Sequence, residues 1–96
     1  MTIAQTIREQ LGGNKFIAMT GARDFINHGN GLSFRLPKAA NKITHIRISL
    51  VNDLYDVDFL SIRGVQEPKT LYMVLGISVE NLQANITLYT GLHTSL

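Results

Sequence analysis

Few residues in this sequence could do chemistry, and their spacing argues against most enzyme machinery. Three histidines, His28, His45 and His93, fall in a turn, on a strand and in the tail, with no His-x-x-x-His pair. Cysteine is absent, which removes thiolate metal sites, thiol nucleophiles and disulfides together. Each histidine is expected to be exposed rather than a zinc ligand. Asp53, Asp56 and Asp58 form the one carboxylate cluster. On a strand, Asp56 and Asp58 would share a face about 7 Å apart, a pair that magnesium or calcium accepts. The EF-hand spacing and its closing glutamate are missing, however. Cross-strand charge pairing of these acids with Arg47 and His45 is the preferred explanation, so no metal or other cofactor is expected.

Glycine and serine motifs are equally sparse. Gly29-Asn30-Gly31 opens like a dinucleotide fingerprint, but Phe34 stands where the third glycine belongs and a strand follows. Leu11-Gly12-Gly13-Asn14-Lys15 could cradle an anion, yet a helix end accounts for it fully. No Gly-Lys-Ser/Thr sequence and no elbow around a serine is present. The chain is expected to bind, not to catalyse.

Charge is distributed unevenly. Six basic residues, Lys15, Arg23, Arg35, Lys38, Lys42 and Arg47, lie between positions 15 and 51 against Asp24 alone. From position 52 onward five acids outnumber Arg63 and Lys69, while Arg8 and Glu9 cancel near the amino terminus. Such asymmetry marks either a basic binding surface or two segments that neutralise each other on folding. The candidate binding set is Lys15, Arg23, Arg35, Lys38, Lys42, His45 and Arg47. If the strands pair in sequence order, Arg35, Arg47, His45, Ser33 and Ser49 project together, with Lys38, Lys42 and Arg23 at the rim. Phe34, Tyr55 and Phe59 are predicted inward, which disfavours base stacking and leaves contacts to phosphates.

The elements that must position these residues follow from periodicity. Thr2 and Gln5 make a capping box, and Ile3, Ile7 and Leu11 form one stripe of a helix over 3–11, ended by Gly12-Gly13. Residues 15–20 are predicted as a strand, continued after a bend by 23–27. His28-Gly29-Asn30-Gly31 is a hairpin turn. Leu32 to Leu36, Ile43 to Leu50 and Leu54 to Phe59 alternate apolar and polar, with Leu32, Phe34, Leu36, Ile46, Ile48, Leu50, Tyr55, Val57 and Phe59 inward. Residues 70–75 fit a strand or, by a rough 3.6 period, a helix; the strand is preferred. A helix capped by Ser78 follows, its Leu82, Ile86 and Tyr89 on one face, closed by Gly91. The expected fold is α+β: an antiparallel meander of four to five strands with a short N-terminal and a C-terminal helix on one face.

Ninety-six residues, 45% hydrophobic and 17% charged with a net charge of +2, suit one folded domain over 1–96. No apolar run approaches the ~20 residues of a membrane span, and no secretory leader is expected. The lack of cysteine fits a reducing compartment.

The stretch Leu11-Gly12-Gly13-Asn14-Lys15-Phe16 followed by Met19-Thr20-Gly21-Ala22-Arg23 resembles a group of small proteins encoded by phages and other mobile elements of bacteria. Leu32-Ser33-Phe34-Arg35-Leu36-Pro37, Leu54-Tyr55-Asp56 and Thr90-Gly91-Leu92-His93-Thr94-Ser95-Leu96 extend the likeness over most of the chain. The resemblance carries no activity with it. It implies an accessory protein in the cytoplasm of the bacterial host. Nucleic acid is the partner expected from the basic residues. The alternative is an inhibitor of host defence that binds a host protein or sequesters a small signalling nucleotide. Pockets between subunits would make such a protein a homo-oligomer.

Overall fold

The alternating segments form one antiparallel sheet in the computed structural model, which describes residues 1–64 and 67–92. The strands are β1 (Arg23–Asn27), β2 (Gly31–Arg35), β3 (His45–Val51), β4 (Leu54–Ser61) and β5 (Lys69–Ile77), in spatial order β1-β2-β3-β4-β5. Helices α1 (Ile3–Leu11), α2 (Asn14–Thr20) and α3 (Val79–Thr90) contribute to the core on one face. The predicted α+β meander is the observed fold, with five strands. Residues 70–75 lie in a strand, as preferred.

Alternation decides which face is covered. Phe34, Ile46, Ile48, Val57 and Phe59 are fully buried, and Leu32, Leu36 and Tyr55 nearly so. Leu50 is only half-buried. Against them pack Ile7 and Leu11 of α1 and Leu82 and Ile86 of α3, all without solvent exposure. Phe34 is the aromatic centre of one half: Phe16 meets it edge-on at 5.5 Å between centroids, and Phe25 lies tilted at 5.4 Å. Phe59, Tyr72 and Tyr89 form the second cluster and hold α3 to the sheet. Such pairs add about 0.5–1.5 kcal/mol each beyond the area they bury.

Local signals fix the turns. Thr2 Oγ1 accepts from the Gln5 N–H at 3.1 Å while Gln5 Oε1 accepts from the Thr2 N–H at 2.8 Å, the predicted capping box. At the β1–β2 hairpin, the His28 N–H donates to the Gly31 carbonyl at 3.0 Å. Gly31 tolerates no side chain, because a Cβ there would stand 2.1 Å from the Ile48 carbonyl oxygen. Asn52 and Asp53 both take positive φ, 51° and 65°, the geometry of a tight two-residue hairpin.

Residues 15–20, predicted as a strand, are helical. Gly12 and Gly13 turn the chain with φ of 122° and 59°, and α2 starts at once. Phe16 and Thr20, four apart, then face the core together. Thr20 Oγ1 donates to the Phe16 carbonyl at 2.8 Å and accepts from the Ala22 N–H at 3.2 Å; Gly21 follows in the left-handed conformation. Residues 23–27 therefore begin the sheet instead of continuing an earlier strand.

The end of α3 repeats this stop. Thr90 Oγ1 donates to the Ile86 carbonyl at 2.6 Å and accepts from the Leu92 N–H at 3.2 Å, with left-handed Gly91 between. At its start, Ser78 takes the cap position, but its hydroxyl makes no capping bond to the backbone and accepts from Asn81 Nδ2 at 3.1 Å. Gln83 of α3 reaches across to the last carbonyl of α1, Leu11, at 2.5 Å. Ile43, predicted within a strand, is buried just ahead of β3.

Candidate functional site

The face of the sheet turned away from the helices carries the outward residues of every strand, and the strand register sets them in rows. One row reads Ile26, Ser33, Arg47, Asp58 and Met73 from β1 to β5. The next reads Arg23, Arg35, His45, Leu60 and Thr70. Neighbours in a row are about 5 Å apart, the spacing of adjacent strands. Arg23 thus stands directly opposite Arg35, and Arg35 opposite His45.

An irregularity in β1 produces this arrangement. Between the Arg23↔Arg35 and Ile26↔Ser33 pairs β1 has two residues and β2 has one, and Asp24 takes the left-handed φ of 57°. The extra residue lets Arg23 and Ile26 both face outward while Phe25 packs against the core. The loop carrying Lys38 and Lys42 leaves β2 just after Arg35 and enters β3 at His45, so it borders the same end. Its Ala40 N–H donates to the Thr90 carbonyl and Asn41 Nδ2 to the Tyr89 carbonyl, each at 2.8 Å, which anchors the loop on the last turn of α3.

The predicted set therefore divides. Arg35, Arg47 and His45 share the open face with Ser33 and Ser49, Arg23 joins their row, and Lys38 and Lys42 lie in the bordering loop. Lys15 belongs to α2, whose Phe16 packs on the covered side of the sheet, and it is not brought to the others. Of the expected cross-strand charge pairs, the register sets Arg47 opposite Asp58. It gives no such pair to His45, which faces Leu60, nor to Asp56, which faces Ser49. Asp56 Oδ1 instead accepts from the Gly76 N–H at 3.0 Å. Among the described residues, no three His, Cys, Asp or Glu side chains gather as a metal site. His93 lies outside the described residues.

Two features of this face were not anticipated. A depression of about 450 Å³ crosses it, with Ser33, His45, Arg47 and Asp58 among apolar Ile26 and Leu60. His28, assigned to a turn, also belongs here: its Nε2 lies 2.8 Å from Ser33 Oγ. Both histidines are held below the usual imidazole range. Partial burial is the larger cause for each, followed by Arg47 for His28 and by Arg35 for His45. Asp24 acts on His45 in the opposite sense, more weakly than Arg35.

Compared with models of protein families, with curated proteins and with solved structures, the chain matches none. Among the described residues, no helix is long and apolar enough to cross a membrane.

Proposed function

We propose that this chain is a non-catalytic accessory protein of a phage or other mobile element, gripping nucleic acid by its phosphate backbone with the open face of the sheet in the bacterial cytoplasm. The observation that carries the proposal is Arg23 directly opposite Arg35, with His45 next in the same row. Like charges facing each other directly across strands destabilise a sheet. A phosphate between the two guanidiniums turns that repulsion into shared charge-assisted hydrogen bonds. Lys38 and Lys42 extend the positive field beyond the row, and Arg47 adds a cation partly offset by Asp58. The buried state of Phe34, Tyr55 and Phe59 leaves no aromatic platform of those three rings for bases, so sequence discrimination should be slight.

The depression beside the row favours a second reading, a protein that sequesters a small signalling nucleotide of the host. Its volume of about 450 Å³ lies in the range of small-molecule sites. There Arg47 would meet phosphate, Asp58 would accept from a base, and Ile26 and Leu60 would pack on the ring.

The double change Arg23→Ala with Arg35→Ala tests the first reading. Affinity for a short single- or double-stranded oligonucleotide should fall, and the slope of log affinity against log salt should become shallower by about two units. The circular dichroism spectrum and melting curve should not weaken, since the change removes a repulsion. Unaltered affinity and slope in the folded variant would reject the proposal.

A further inference from the structure

The depression on the open face and the arginine row share a residue. His45 stands next to Arg35 in that row, and it also lines the depression with Ser33, Arg47 and Asp58 of the neighbouring row. A phosphate between Arg23 and Arg35 therefore lies within one nucleotide's reach of the hollow. Ser33, His45, Asp58 and Leu60 are half-buried there, although they point away from the core. Ile26 and Leu60 give the hollow apolar walls, and the imidazoles of His28 and His45 add two aromatic rings. Unstacked bases pack on such surfaces, and histidine is one of the rings that receive them. The His28 ring is already tied to Ser33 Oγ at 2.8 Å, so little ordering is left for binding to do. Opposite each other at the polar side, Arg47 donates and Asp58 accepts. Any base finds a partner for its edge between them, so preference among bases stays small.

A duplex cannot use this hollow. Five strands about 4.8 Å apart make a face roughly 19 Å across, whereas the major groove of B-DNA is about 12 Å wide. The face would touch phosphates only, and the paired, stacked bases would stay outside. A single strand can turn one base out of its stack and keep the adjoining phosphate at the arginines.

We infer that the open face selects single-stranded over double-stranded nucleic acid, seating one unstacked base in the hollow beside Arg47 and Asp58. This rests on the phosphate grip proposed above. Fluorescence anisotropy with a labelled single strand of about 12 nucleotides, and with a duplex of the same length, tests the two separately. At equal salt the single strand should bind at least about tenfold more tightly. Ile26→Ser and, separately, Leu60→Ser should each weaken the single strand by about tenfold and leave the duplex unaffected. Neither should change the salt slope, because neither side chain meets a phosphate. Ile26 is 55% exposed on the edge strand β1, so its replacement leaves the core intact. Equal or tighter binding of the duplex, lost in the Arg23→Ala, Arg35→Ala protein, would overturn the strand preference and leave the phosphate grip standing. Single-strand affinity unmoved in both serine variants would overturn the seat for the base. A free mononucleotide binding as tightly as the strand would overturn it too, since the hollow would then serve a small ligand by itself. Absence of binding to either form would overturn the grip and the inference together.

Discussion

His28 and His45 make the open face sensitive to pH. Both are held below the usual 6.5, mainly by burial and then by the neighbouring arginines. The unfolded chain therefore binds protons more readily than the folded one as pH falls through that region. Stability from these groups is complete above about pH 6.5 and is lost as pH drops through their lower folded values. Denaturation midpoints should decline from pH 7.5 to pH 5.5, and His45→Gln should shrink the decline. A bound phosphate acts the other way, because it favours the imidazolium. Nucleic-acid affinity should rise over the same window while stability falls. Parallel loss of both would contradict the placement of these imidazoles beside the bound anion.

At the scale of elements, the two helix stops make a shared prediction. Thr20 and Thr90 are each buried, donate to the carbonyl four residues back, and accept an N–H two residues on. Valine has nearly the same shape but leaves the Ala22 or Leu92 N–H without its hydroxyl partner. Thr20→Val should cost about 1–3 kcal/mol in urea denaturation, the penalty for a buried donor left unmade, and Thr90→Val less, because the Leu92 N–H is only part-buried. Less than about 0.5 kcal/mol for both would show that the stops do not depend on the hydroxyl. The same elements show what sequence reveals. Strands β2, β3 and β4 were legible because each alternates cleanly over five or more residues with one buried face. Helix α2 was not, because Phe16, Ile17, Met19 and Thr20 suit a strand as well and seven residues are too few to display a 3.6 period. Thr-Gly followed by an apolar residue stands at both 20–22 and 90–92 in the sequence, and that repetition was the available signal. The common face of Arg35, Arg47 and His45 followed from alternation. The position of Arg23 opposite Arg35 depends on one extra residue in β1, which no periodicity announces.

For the whole molecule, the two faces of the sheet divide the labour. The covered face holds the core and spends every large aromatic of β2 and β4 on packing. The open face keeps the arginines, with Arg23 and Arg35 beside His45 in one row and Arg47 in the next. Asp58 opposite Arg47 and Asp56 opposite Ser49 temper that face, and Asp24 acts on His45. Charge neutralisation within the chain is thus partial on the side where the cations gather. A backbone amide titration with a short oligonucleotide, followed by two-dimensional NMR at ~50 mM salt, tests this account most directly. The account predicts shifts concentrated at Arg23, Arg35, His45, Arg47 and the 38–42 loop, fading as salt is raised, with Lys15 and the rest of α2 unmoved. No shifts at that salt, or shifts centred on α2, would contradict it.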